Sequence, residues 1–163
     1  MPVYYLEPSA LVKYYVTEPG SIWVRQVVDA EASVLVSAEI TIAEVAAALG
    51  VIARMGRISR RQRDAFWGRF RRDLLRRYEF LPTRRTIITR AAALCLQHPL
   101  RGFDAIHLAS GLQLQETLAQ AEGNALSSTY VTSDDRLVTA AQTEGLTVEN
   151  PFWHTDLDTA PLP

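Results

Sequence analysis

One cysteine, Cys95, occurs in the whole chain, which excludes an intramolecular disulfide framework and any site built from several thiolates. Lysine is equally scarce: Lys13 is the only one, and the other sixteen basic residues are arginine. No glycine-rich phosphate loop is present, which argues against nucleotide triphosphatase and dinucleotide-binding readings. There is no internal repeat or low-complexity segment, and no uninterrupted membrane-length apolar run. The most apolar window, 34–53, contains Glu39 and Glu44, and carboxylates at bilayer depth are costly. The N-terminal MPVYYLEPSALVKYY carries Glu7 and Lys13 within its apolar stretch and lacks the pattern of a cleaved leader. A cytoplasmic, reducing location with no membrane association is the expectation.

What remains is a chain of 163 residues, 48% hydrophobic and 21% charged, a size and composition suited to one domain with a buried core. Its net charge of -1 conceals a division. Between Arg54 and Arg90 lie thirteen arginines against Asp64, Asp73 and Glu79, whereas the remainder is strongly acidic. A basic block beside a carboxylate-rich remainder suits a polyanion-binding surface next to an acidic site, and the planar guanidinium suits phosphate. A GC-rich coding sequence would give the same arginine bias, so both origins stay open.

Short apolar runs alternate with helical patterns. Val3 to Leu6, Ser33 to Val36, Glu79 to Pro82, Tyr130–Val131 and Leu146 to Val148 read as strands. Helices are expected from Ala10 to Tyr15, from Ile22 to near Ala32, from Ala38 to Ala53 with Ser37 as cap, from Ser59 to about Tyr78, from Thr86 to Gln97, from Asp104 through Leu114, and from Asp134 to Glu144 before Gly145. Glu122 to Ser128 reads as a loop. Alternation of this kind implies parallel pairing and right-handed crossovers, hence a three-layer α/β/α sandwich on a short, mainly parallel five-stranded sheet. Residues 1–150 are expected to form the domain and 151–163 a peripheral tail.

Four carboxylates recur at strand ends or helix starts: Glu7, Glu44, Asp104 and Asp134. In an open parallel sheet such positions converge on the crevice where the winding reverses. Each also has a structural reading, Asp104 and Asp134 as helix caps and Glu44 at the positive end of its helix. That reading is weakest for Glu44, which lies among Ala43, Val45, Ala46, Ala47 and Ala48, where a carboxylate needs a partner such as a metal ion.

The segments Tyr4-Tyr5-Leu6-Glu7-Pro8-Ser9-Ala10-Leu11-Val12-Lys13, Thr41-Ile42-Ala43-Glu44-Val45, Phe103-Asp104-Ala105-Ile106-His107-Leu108-Ala109 and Val131-Thr132-Ser133-Asp134-Asp135-Arg136-Leu137 resemble, in that order, the motifs of the PIN-domain nucleases, and within them the VapC-type toxins of toxin–antitoxin pairs. The resemblance implies a PIN-like fold and a metal-dependent endoribonuclease in which Glu7, Glu44, Asp104 and Asp134 bind Mg²⁺ or Mn²⁺ and form the catalytic set. Ser9 and Thr132 match positions whose hydroxyls support the ligands. Asp135 is the neighbouring alternative to Asp134, and His107, one helical turn after Asp104, supports the site. It further implies an RNA substrate, a cognate antitoxin and a homodimer, with Arg54, Arg57, Arg61, Arg69, Arg72 and Arg76 facing RNA or antitoxin. Phe66, Trp67 and Phe70 have the spacing of a packing or dimer face. The chain departs from the family in one place: Glu7 stands where an aspartate is usual. The extra methylene bears on an octahedral ion that tolerates little distortion. A catalytically degenerate PIN domain that binds RNA or antitoxin, and an unrelated α/β phosphohydrolase, are the competing readings.

Overall fold

The computed structural model describes residues 1–121 and 127–159. Five parallel strands, β1 (Val3–Leu6), β2 (Val34–Ala38), β3 (Tyr78–Leu81), β4 (Ser128–Val131) and β5 (Thr147–Glu149), form one sheet in the order β3-β2-β1-β4-β5. The strands are short, and β1 and β2 are nearly continuous in apolar character because both of their faces are covered, whereas the edge strands β3 and β5 carry Glu79, Thr147 and Glu149. On one face pack α1 (Pro8–Tyr15), α2 (Ser21–Asp29), α3 (Thr41–Arg54) and α4 (Arg60–Asp73), around Leu6, Leu11, Tyr14, Tyr15, Val45, Leu49 and Phe70. On the other pack α5 (Arg85–Gln97), α6 (Gly102–Ala121) and α7 (Asp135–Thr143), around Tyr5, Val36, Leu108, Tyr130 and Leu137. The expected sandwich is therefore present, and its sheet is parallel throughout.

The chain winds outward from β1 to β2 and β3, then crosses by α5 and α6 to β4 on the opposite side of β1. That reversal places a crevice beyond the carboxyl ends of β1 and β4, which are direct neighbours with Leu6 opposite Val131. Glu7 follows β1 and Thr132 follows β4, so both enter the crevice from its floor.

Several local expectations require correction. Ser37 does not cap α3. Strand β2 continues to Ala38, and the Ser37 hydroxyl sits inside the sheet, donating to the Leu6 carbonyl at 2.6 Å and bonding Thr41 Oγ1 at 2.7 Å. Helix α3 is not enclosed by the domain either: Thr41, Val45, Leu49 and Ile52 are buried, while Ala43, Ala46, Ala47, Val51 and Met55 face outward. Helix α4 is entered through the capping box of Ser59 and Gln62 but stops at Asp73, short of Tyr78, because Tyr78 belongs to β3. Phe70 is fully buried and Phe66 and Trp67 pack against the same core, so the aromatic stripe is a packing face. Most of the expected loop over 122–128 lies outside the described residues.

After β5, residues Pro151–Thr159 form 3-10 turns laid against α2. Asp158 accepts hydrogen bonds from the amides of Gly20 (2.6 Å) and Ile22 (3.2 Å), His154 stacks on Trp23 with ring centroids 4.5 Å apart, and Phe152 lies under the Lys13 ammonium at 4.2 Å. A side chain at Gly20, whose φ is +84°, would reach within 2.4 Å of the Pro151 carbonyl oxygen, so glycine is required on two counts.

Candidate active site

Glu7 leaves β1 and caps α1. Its Oε2 accepts hydrogen bonds from the Ser9 amide at 3.0 Å, from the Ser9 hydroxyl, and from the Thr132 hydroxyl at 3.0 Å. The same node reaches across the crevice: Ser133 N donates to Ser9 Oγ at 2.9 Å and Asp134 N to Thr132 Oγ1 at 3.1 Å. Glu7 is 6% exposed and Thr132 is fully buried. Burial pushes the Glu7 carboxyl above the ordinary range; nearby His107 and the hydrogen bonds from Ser9 and Thr132 pull it down without cancelling that rise.

Glu44 stands in the first turn of α3 and is half-buried. The partner its apolar neighbours demand is His107, whose Nε2 lies 2.6 Å from Glu44 Oε2. His107 Nδ1 in turn lies 2.9 Å from the Tyr5 hydroxyl. Tyr5 and His107 are buried at 0% and 1% exposure. The structure thus supplies a protein partner from α6, 63 positions away in sequence, for one of the Glu44 oxygens.

Asp104 lies in the first turn of α6 and accepts a hydrogen bond from the Arg101 amide at 3.1 Å, the local contact of a helix start. Asp134 caps α7, accepting from the amides of Arg136 (2.8 Å) and Leu137 (3.4 Å) and pairing with the Arg136 guanidinium at 3.3 Å. Burial raises its pKa, but the hydrogen bonds from Arg136 and Leu137 and the Arg136 charge outweigh that and hold it below the ordinary aspartate range. Asp135 faces outward and is held by Asn150 at 3.3 Å.

Tyr130 packs beside Tyr5. Its ring stacks on Tyr5 at 5.1 Å and 4°, and its hydroxyl is buried without a hydrogen-bond partner among the described residues. Burial drives its pKa far up. Glu44 bonds His107, Asp104 stands one helical turn before His107 on α6, and Tyr5, on the other ring nitrogen of His107, lies two residues before Glu7. Asp134 joins them only through Thr132.

Among the described residues no three His, Cys, Asp or Glu side chains converge closely enough to enclose an ion. The donor chemistry nevertheless suits a hard divalent cation: Glu7 Oε1, Glu44 Oε1 and Asp104 Oδ1 each lack a hydrogen-bond partner among the described residues, while the other oxygen of each is held by the protein.

The expected arginine surface divides in two. Arg57 pairs with Glu18 at 2.8 Å, and Arg69 lies 4.7 Å above the Tyr14 ring, so both are engaged in holding α1 against α4 and its preceding loop. Arg54, Arg61, Arg72 and Arg76 are exposed and form no ion pair among the described residues. Tyr5, Tyr130 and Ser133 are the site residues that sequence reasoning missed. The alternation of Tyr5 with Glu7 along β1 was the available signal for Tyr5; nothing local marks Tyr130.

Among solved structures the chain is similar to FitAcB from Neisseria gonorrhoeae (16% identity, 93% of this chain and 99% of that one, TM-score 0.62). It is also similar to PAE2754 from Pyrobaculum aerophilum (17%, 96% and 88%, 0.57) and to VapBC2 from Rickettsia felis bound to a DNA fragment from their promoter (16%, 91% and 98%, 0.55). No curated protein sequence matches it. The PIN domain profile matches residues 4–141, a span that runs from β1 through α7 and takes in all four carboxylates. Together with the doubly wound parallel sheet, that match establishes that the chain belongs to the PIN domain family.

Proposed function

We infer that the protein is a metal-dependent endoribonuclease, the toxin of a toxin–antitoxin pair. The observation that carries this reading is that Glu44 meets α6 at His107, one turn after Asp104, while Tyr5 on the other side of that ring stands two residues before Glu7, and each of the three acids keeps one oxygen without a hydrogen-bond partner among the described residues. Glu7, Glu44, Asp104 and Asp134 are the residues that would hold Mg²⁺ or Mn²⁺. Such an ion, when bound, shields the phosphodiester charge and eases generation of the attacking nucleophile from water.

The chain's own groups perform the remaining tasks. Ser9 and Thr132 hold Oε2 of Glu7 and leave its other oxygen available. His107 holds Glu44. Arg54, Arg61, Arg72 and Arg76 attract the polyanion and bind phosphates away from the scissile bond. Water attacks the phosphorus in line, the 3′-oxygen departs with a proton from solvent, and the products carry 5′-phosphate and 3′-hydroxyl ends. No covalent protein nucleophile is required. An antitoxin partner and a homodimer accompany this reading, supported by the resemblance to VapC-type toxins and the shared fold of VapBC2 and FitAcB.

Incubation of purified protein with RNA tests the proposal. Cleavage should require Mg²⁺ or Mn²⁺, stop with EDTA, and disappear in Asp104→Asn and Glu44→Gln variants that retain the native melting temperature. Cleavage at the native rate by both variants would overturn it. RNA binding without cleavage would favour the degenerate reading, which the glutamate at position 7 supports. Preference for small phosphoesters would place the protein among other phosphohydrolases.

A further inference from the structure

The contacts of His107 define a buried rod: Tyr5 hydroxyl to Nδ1 at 2.9 Å, Nε2 to Glu44 Oε2 at 2.6 Å. An ionised carboxylate only accepts hydrogen bonds, so Nε2 carries a proton towards Glu44. In the neutral ring Nδ1 is then the acceptor and the Tyr5 hydroxyl the donor. A tyrosine hydroxyl is protonated at neutral pH in any case. Tyr5 cannot swing away, because Tyr130 lies parallel against its face at 5.1 Å. Tyr130 is itself pressed on α6 at Gly111, where a Cβ would meet the Tyr130 ring at 2.6 Å.

We propose that His107 is a positioning residue, oriented by Tyr5, that fixes the Glu44 carboxylate through Oε2 and leaves Oε1 available to a cation. The physical reason lies in the position of Glu44. Its helix α3 presents mostly alanines around it, and a half-exposed glutamate on such a surface has several rotamers open to it. A hydrogen bond from a ring with no freedom of its own removes that choice before a cation arrives, which is the way a partner behind a ligand raises affinity. The sequence separates the three residues widely, and they belong to β1, α3 and α6, so the rod also ties both layers of helices to the sheet at the site.

This proposal rests on the metal-dependent reading above, and its test separates the two. Mn²⁺ binding without RNA is measured by calorimetry on native protein, His107→Asn, His107→Gln, Tyr5→Phe, Glu44→Gln and the His107→Asn/Glu44→Gln double variant. Asparagine lacks the reach to Glu44, whereas the glutamine amide can replace Nε2. His107→Asn should weaken Mn²⁺ by roughly 10- to 100-fold, and His107→Gln should recover most of that loss. The double variant should bind no more weakly than Glu44→Gln alone, because the two act as one unit. Nitrogen NMR of the metal-free protein should show the Nε2–H tautomer, and Tyr5→Phe should disturb it. Unchanged affinity in His107→Asn, or additive losses in the double variant, would overturn the positioning role. Absence of Mn²⁺ binding by the native protein would instead overturn the metal-dependent reading, and the NMR result would still decide whether the rod orders His107.

Discussion

Glu7 gives the sharpest quantitative expectation, because a single oxygen serves three donors in a buried place. Glu7→Ala removes the cap of α1, a loss of about 1 kcal/mol. It also leaves the Ser9 and Thr132 hydroxyls without that acceptor, at about 1 kcal/mol each at the low end of such costs. The total is about 3 kcal/mol, which for a chain of this size lowers Tm by about 6–12 °C. Glu7→Gln keeps an oxygen of the same reach and deletes only the charge. Since burial raises the folded pKa of Glu7 above its unfolded value, its favourable contribution is complete below the unfolded pKa of about 4.3 and is lost as pH rises through the folded value. In EDTA, Glu7→Gln should therefore gain on the native protein from acid to neutral pH and equal or exceed it in stability at neutral pH. Millimolar Mn²⁺ should reverse that order, because the ionised carboxylate is the form that binds. Urea and thermal melts followed by circular dichroism at both pH values measure all of this. If Glu7→Gln falls as far as Glu7→Ala at neutral pH in EDTA, or if its difference from native is independent of pH, the account of Glu7 is wrong.

Asp134 has the opposite pH sign: its folded pKa is depressed, so its stabilisation is present above the unfolded aspartate value and is lost as pH falls through the folded one. Asp134→Ala should cost about 1 kcal/mol through loss of the α7 cap, while Asp134→Asn should preserve the helix yet abolish RNA cleavage; melts and gel-based cleavage assays check the two arms. Gly111→Ala should destabilise by about 1–3 kcal/mol in urea titration, since the new methyl meets a Tyr130 ring already backed by Tyr5. Glutamine at Arg54, Arg61, Arg72 and Arg76 should weaken binding to a single-stranded RNA and flatten its salt dependence by about 0.7 in the log–log slope for each phosphate no longer neutralised. The same change at Arg57 and Arg69 should in addition lower Tm, because those two hold α1 against α4 and the loop before it. A titration across salt concentrations, with melts in parallel, distinguishes the groups.

The alternation of apolar runs with helical stripes, the capping box at Ser59 and the four acidic segments were legible because each depends on residues within a few positions of one another. Those local signals determined the layered α/β architecture, the order of its elements and the identity of the candidate carboxylates. They misplaced what depends on the far side of a contact. Helix α3 is apolar in composition, but its alanines are small enough to face outward without a partner, so composition overstated its burial. Ser37 has the residue type of a cap, yet the register of β2 beside β1 turned its hydroxyl to Leu6. Glu44 asked for a partner, and the docking of α6 supplied His107 for one of its oxygens. The sheet order alone brought Thr132 to Glu7, 125 positions away, because a hydrogen bond between the ends of β1 and β4 has no trace in the sequence near either strand. Residue type thus determined which groups have the chemistry for a cation and a phosphate, and tertiary packing decided which of them share an environment, which are held, and which keep an oxygen open.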